Sequence, residues 1–377
     1  MEDRFIATFI LHALGDTIGF YNGKWEFNYG FKDTDIRITL EIISEFIKLG
    51  GINSIDLKDW FVSDDTLLNY EIGKFMLNSS FDIAKLKNSI KKMYTIEQKN
   101  KNINRLFGIT TLESIESWKN IDNKMDFDKI DFELFDEKSG GNGCAMRTLP
   151  IGLRFHKKEH LTYLIDMSIQ TSFITHTSPL GYLSGMSIAY FTSLAISNVN
   201  PNLWCKLLLE LLDSKEISKY MIRYEQENAY HNFIKTIKYY YDIFYDKNGV
   251  QVELKTKDNL IGRIKIFKDI EDFLLKLQKS DITITEPIAS VVGSAGPTAV
   301  IMALQSLIDC DGKWEKLVFY SMLHGGDSDT VGAIAGGLYG ATYGFGDVPK
   351  NLLENLEMKK ELEEIGKELY ILFQKSN

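Results

Sequence analysis

Cysteine and proline are both scarce, at three and six residues in a chain of 377. Cys144, Cys205 and Cys310 leave one thiol unpaired and form no Cys-x-x-Cys, which argues against a disulfide framework or a structural zinc site and fits a reducing compartment. An excess of positive charge is also missing. Lys and Arg number 43 against 52 Asp and Glu, and a net charge of −9 argues against a general nucleic-acid surface. Lysine clusters such as Lys87-Asn-Ser-Ile-Lys-Lys92 alternate with apolar positions, as a solvated helix face does. Bilayer-type runs are lacking too. Met167 to Cys205 and Pro287 to Ile308 carry no Asp, Glu, Lys or Arg, but both are studded with Ser, Thr, Gly or Pro and read as buried helices. The start, Met1-Glu-Asp-Arg, has neither the basic opening nor the cleavage site of a secretory leader, so a cytoplasmic protein is expected.

What is there is ordinary globular material, 44% hydrophobic and 25% charged, long enough to bury a substantial core. Apolar residues recur every three or four positions in Ile6–Ile18, Ile36–Leu49, Leu67–Leu77, Leu180–Ile196, Leu203–Leu212, Glu225–Ile243 and Leu352–Phe373, which predicts helices. Only Val250 to Leu254 suggests a strand. Lys92 to Asn104 and Asp246 to Lys257 are polar enough for exposed loops. No internal repeat or βαβ rhythm emerges, so residues 1–377 are expected to form one all-α domain with surface excursions.

Gly332, Gly336, Gly340 and Gly344 recur every fourth residue and would share a helix face. Gly15 with Gly19, and Gly181 with Gly185, repeat the spacing. Each such glycine lowers helix propensity by roughly 1 kcal/mol, so close approach of another helix is the expected compensation.

That glycine-faced segment opens with His324-Gly-Gly-Asp-Ser-Asp-Thr330. Two carboxylates beside an uncharged helix are unfavourable to bury unless something positive offsets them, and a hard divalent cation accepts oxygen ligands of this kind. A second cluster, Ser63-Asp-Asp-Thr66, precedes another apolar run. Ser63 can simply cap a helix whose first turn favours anions, which explains one Asp better than two. Four carboxylates and two hydroxyls suit a pair of Mg²⁺ or Mn²⁺ ions if the clusters meet in space. The third constellation, Ser139-Gly-Gly-Asn-Gly-Cys-Ala-Met-Arg147, can converge backbone N–H groups on an anion, helped by a helix beginning at Ala145; a tight inter-helix loop is the plainer alternative.

Together, Gly15-Asp-Thr-Ile-Gly19, Ser63–Thr66, Gly141–Arg147, Thr175-His176 and Gly325–Gly332 resemble the ADP-ribosylglycohydrolases in order and spacing. Within that family, Tyr21-Asn-Gly-Lys-Trp-Glu-Phe27, His176–Tyr182 and the ending Leu356 to Leu372 look most like the ADP-ribosylarginine hydrolase branch. The resemblance implies a compact, single-domain orthogonal helical bundle, expected as a monomer, with two Mg²⁺ ions (Mn²⁺ as an alternative) in a cleft. Its substrates would be proteins or peptides ADP-ribosylated on arginine, cleaved at the N-glycosidic bond to release ADP-ribose, with no nucleic acid or membrane involved. Carried over, Ser63, Asp64, Asp65, Asp327, Asp329 and Thr330 are metal ligands; Gly141, Asn142, Gly143 and Cys144 hold diphosphate and distal ribose; Gly293 and Ser294 line the same cleft. Ser294-Ala-Gly-Pro297 is less polar than the branch's pattern, and Cys144 stands where a small residue is more usual.

Cleavage would pass through an oxocarbenium-like state, with cations orienting the sugar and Asp65 or Asp329 aligning or deprotonating the attacking water. Asp64 is expected among the catalytic residues, Glu26 resembles a family acid that approaches the metals or the ribose, and acid and base stay unassigned. Asp16 reads as a structural partner for backbone donors, and Arg147 as half of an ion pair anchoring its loop. Arg105 and Gly108–Thr111 resemble a cleft rim. His176 braces the cleft or touches ligand, and His324 lies outside a hard-cation site. Tyr21 and Trp25 either stack on substrate or pack in the core. The rival activities are an O-linked ADP-ribosylserine or poly(ADP-ribose) hydrolase on the same fold, and a non-catalytic ADP-ribose-binding relative.

Overall fold

The computed structural model describes residues 1–26, 34–100, 102–118, 134–252, 259–281 and 291–375. Among these the chain is all-α: no strand forms, and the only β pairings are isolated bridges, Gly141 with Ala295 and Tyr245 with Gln251. Buried apolar side chains from Phe5 to Leu369 form one continuous cluster. No helix of the described residues is long and apolar enough to cross a membrane.

Two helices make the centre, Glu2–Phe20 and Ser328–Tyr343. They run antiparallel in near backbone contact. A Cβ at Gly15 would lie 2.0 Å from the Gly332 carbonyl oxygen, one at Gly336 2.1 Å from that of Leu11, and one at Gly340 2.3 Å from that of Ala7. Dense dispersion contact replaces the lost propensity. The fourth glycine plays another part: Gly344 follows the helix with φ 68, a value that suits glycine, and ends it.

The periodic helices form, with three differences. The C-terminal segment splits into Asn351–Glu354 and Lys359–Lys375, because Met358 adopts φ 59 and Glu357 is drawn into side-chain bonds. The loop expected over Lys92 to Asn104 starts later: 92–97 complete the helix Ile83–Glu97, capped by Asp82 and anchored by Ile83, Leu86, Ile90 and Tyr94, and the described residues from Gln98 to Asn104 are non-helical. No α-helix begins at Ala145; a 3₁₀ helix spans Asn142–Arg147, and an α-helix restarts at Leu149–Arg154 with Pro150 in its first turn. Of the suggested strand only the Gln251 bridge exists, and residues 253 and 254 lie outside the described residues.

Candidate active site

The helix Asp64–Met76 begins with Ser63 as its cap, whose hydroxyl oxygen accepts from the Asp65 N–H at 3.1 Å. The turn is held from below by Asp16, carried on the first helix. Its carboxylate accepts from the Ser63 N–H at 3.1 Å, the Thr66 N–H at 3.2 Å and the Thr66 hydroxyl. Burial raises the Asp16 pKa to about 6 against those hydrogen bonds. Asp16 is thus the structural partner its position suggests. Because glycines let the two central helices touch, with Gly19 against Ser328, the Asp16 platform and the Asp327 loop are brought to the same end of the core.

Glu26 arrives by a different route. Tyr21 and Asn22 both take left-handed φ, 42 and 56. Tyr21 packs at 4.7 Å from Trp25 and 4.2 Å from Trp60 between ring centroids, and Trp25 donates to Glu45 at 3.1 Å. Both aromatics are core, not a substrate platform. Asn22 also donates to the Asp59 carbonyl at 3.0 Å and accepts from the Phe61 N–H at 2.8 Å, so this turn and the Ser63 turn are bonded to each other. Phe27 lies outside the described residues.

The two acidic clusters meet. Glu26, Asp64, Asp65, Asp327 and Thr330 line one cleft of about 530 Å³. Carboxylate oxygens of Glu26, Asp327 and Asp329 lie within 4.8 Å of one another, and all three residues are buried. Asn142 donates to Asp327 at 2.8 Å and to the Gly293 carbonyl at 2.8 Å. Within these acidic clusters three buried carboxylate oxygens have no hydrogen-bond partner: Oε2 of Glu26, Oδ2 of Asp65 and Oδ1 of Asp327. Burial first, and neighbouring carboxylates second, push Glu26 and Asp329 well above the usual carboxylate range. Asp65 is raised by burial and then by Asp16 and Asp64; burial is also the largest cause for Asp64. Burying such a group without compensation is unfavourable, so the arrangement fits hard divalent cations.

The glycine loop forms the opposite wall. Gly141, Asn142 and Gly143 line the cleft with Ser294, and the Asn142 N–H donates to the Ser294 carbonyl at 3.1 Å. Gly293 sits just behind, at φ 90. Cys144 is fully buried on the far side of the loop, its thiol 3.6 Å from the Ser172 carbonyl, so the larger residue leaves the cleft wall unnarrowed. Arg147 is not half of an ion pair among the described residues. Its Nη2 donates to the Thr171 carbonyl at 3.0 Å and the Thr175 hydroxyl at 2.8 Å. His176 both braces the loop and lines the cleft: Nδ1 meets the Thr175 hydroxyl at 2.8 Å, and a Cβ on Gly143 would lie 2.9 Å from its ring. Burial lowers its pKa to about 3, so the ring is neutral.

Ser63 and Asp329 do not line the cleft: the Ser63 hydroxyl caps the Asp64 helix, while Asp329 joins the carboxylate group and His324 does not. The rim is Leu106 to Thr111, whereas Arg105 turns inward to Glu97 and Glu357. Lys138 and Met146 also line the cleft and were not singled out in sequence. Lys138, directly before the Ser139-Gly-Gly run, was the available signal.

Fold and cleft define a class: an all-helical protein with buried, under-bonded carboxylates facing a glycine-rich loop. The family model for ADP-ribosylglycohydrolase matches residues 1–377, and the chain belongs to that family. The name describes hydrolysis of glycosidic linkages to ADP-ribose. The chain is 33% identical over 343 residues to a protein of Acanthamoeba polyphaga mimivirus named as an ADP-ribosyl glycohydrolase, matching 88% of this chain and spanning 62% of that protein's length. It is 28% identical to ADP-ribosylhydrolase ARH1 of Dictyostelium discoideum, over 96% of this chain and 92% of the relative. ADP-ribosylhydrolase ARH3 of Xenopus tropicalis is 24% identical, over 98% and 95%. A solved ADP-ribosylglycohydrolase-related protein complex shares the fold, with TM-score 0.55, 18% identity and 98% of each chain covered.

Proposed function

We propose that the protein is a Mg²⁺-dependent hydrolase of the N-glycosidic bond between ADP-ribose and arginine side chains, formed by residues 1–377 acting as one domain. The observation that carries this reading is the group of three buried carboxylates within 4.8 Å, with orphaned oxygens on Glu26 and Asp327. Asp65 adds a third unpartnered oxygen from the other cluster. Two cations held there by Ser63, Asp64, Asp65, Asp327, Asp329 and Thr330 would supply positive charge, orient ribose hydroxyls and make water easier to deprotonate.

The chain's own residues do the rest. Gly141, Asn142 and Gly143 receive the diphosphate and distal ribose, with neutral His176 closing that wall without adding charge. Asn142 keeps Asp327 aimed into the site. Asp65 or Asp329 takes the proton from the attacking water as its oxygen bonds to the anomeric carbon and the carbon–nitrogen bond breaks. That proton passes to the departing guanidine so that arginine leaves as the cation, while Glu26 faces the distal sugar and stabilises the developing oxocarbenium charge. The arginine assignment rests on the Tyr21–Glu26 turn, and a carboxylate-rich cleft complements a guanidinium.

The test compares release of ADP-ribose from arginine-linked and serine-linked peptides, with Mg²⁺, with Mn²⁺ and in chelator. Preferential release from arginine that requires a divalent cation is expected. Preference for serine would move the assignment to the O-linked activity, and equal activity in excess chelator would remove the cation mechanism.

A further inference from the structure

The break between the two C-terminal helices turns a carboxylate inward. Glu357 accepts from the Val62 N–H at 2.8 Å and from Arg105 Nη1 and Nη2 at 2.7 and 2.9 Å. Arg105 Nη1 also donates to the Val62 carbonyl at 2.7 Å, and Nε to Glu97 at 3.0 Å. Two residues along the chain, the Asp64 N–H donates to the Arg105 carbonyl at 3.1 Å. Both backbone polar groups of Val62 and the N–H of Asp64 are therefore held by this pair, while Asp16 holds Ser63 between them.

The same arginine anchors the cleft rim. Leu106 follows it with φ 48, a conformation a branched residue keeps only when its surroundings enforce it. The Gly108 N–H then returns to Asp64 at 3.4 Å, and Leu106 through Thr111 line the cleft. A salt bridge serving stability alone has no need of this geometry. Arg105 already has Glu97, is only 6% exposed, and uses its second carboxylate to fix the residue before the acidic turn.

We infer that Arg105 and Glu357 form a positioning pair that sets the Ser63–Asp65 turn and the Leu106–Thr111 rim together, coupling cation affinity to ligand affinity. The inference rests on the reading that the acidic cluster binds a divalent cation.

Mn²⁺ would be titrated calorimetrically into the full-length protein and into Glu357→Gln and Arg105→Lys, without substrate. ADP-ribose would then be titrated at saturating Mn²⁺, and melting recorded in chelator. Gln keeps an acceptor for the Val62 N–H but loses the charge, and Lys loses the two-pronged fork. Loss of such supporting contacts weakens metal binding about 10-fold or more, and that loss is expected in both variants together with weaker ADP-ribose binding. Lys74→Ala, which breaks the Glu71 ion pair elsewhere on the same helix, serves as the structural control and keeps wild-type Mn²⁺ affinity. Wild-type Mn²⁺ affinity in both variants, or an equal loss in the control, overturns the positioning role; if Glu357→Gln does not fold, Arg105→Lys decides. A wild-type protein that takes up no Mn²⁺ overturns the cation reading itself, and the inference with it.

Discussion

Two buried charged clusters in this molecule are built on opposite plans. Around Asp309 both carboxylate oxygens are taken: Gln305 donates at 2.8 Å, Gln251 at 3.2 Å, and Arg263 pairs with the second oxygen. Tyr240 completes the network on Gln305 at 2.7 Å. Around Asp327 like charges crowd within 4.8 Å of one another, and carboxylate oxygens are left without partners. The first cluster carries its own counter-charge. The second has the chemistry of a site that a cation could complete, and under the proposed reading that difference separates a structural burial from a functional one.

The comparison can be broken most sharply at Asp327. Asp327→Asn is expected to lower the rate of ADP-ribose release by at least ~100-fold, as removal of a key electrostatic group does, and Asp64→Asn likewise. Melting in chelator should be unchanged or higher, because a repelling charge is gone. Asp309→Asn should do the reverse, destabilising by about 3–5 kcal/mol by stranding Arg263, while the folded fraction keeps its turnover; urea unfolding with matched kinetics reads both. Next in size is the cation itself. At 1,000 times its Kd, Mg²⁺ should add about 4 kcal/mol of stability to the wild type and little to Asp327→Asn, measured by thermal melts.

The pH dependence sharpens the same contrast. Carboxyl groups whose folded pKa is raised stabilise the protein below their unfolded values near 4, and that contribution disappears as pH rises through the folded pKa. For Asp16 the window runs from about 4 to about 6, and Glu26, Asp64, Asp65 and Asp329 act in the same direction. Neutral, buried His12 and His176, lowered to about 4 and about 3, act oppositely below their ordinary range. The difference between melts with Mg²⁺ and with chelator cancels the histidines, and should grow as pH rises from about 4. The smallest effect is at the seam. Gly336→Ala places a Cβ 2.1 Å from a carbonyl oxygen and should destabilise by about 1–3 kcal/mol, read by urea unfolding, with kcat nearly unchanged in the folded fraction.

Much of this was legible because local chemistry and global arrangement agree. The glycine spacing in Gly332 to Gly340 pointed to a closely packed partner, and Gly15 supplies it. Ser63 caps its helix as its sequence context suggests. What was not legible depends on contacts between distant segments. Nothing in the run Leu352 to Phe373 announces that Glu357 leaves the helix for Val62 and Arg105, since periodicity records only which face is apolar. Among the described residues Arg147 has no acidic partner because backbone carbonyls and Thr175 surround its guanidinium, and carbonyl acceptors leave no mark in a sequence. Tyr21 and Trp25 were ambiguous for a similar reason: aromatic residues serve cores and ligands alike, and only Trp60 and Phe46 decide for the core.

The most direct test of the central claim is the rate of ADP-ribose release from an arginine-linked peptide, measured for wild type and Asp327→Asn with Mg²⁺ and again in excess chelator. The account predicts turnover only for the wild type with Mg²⁺, with both proteins folded throughout. Comparable turnover by folded Asp327→Asn, or by wild type stripped of divalent cations, would contradict it.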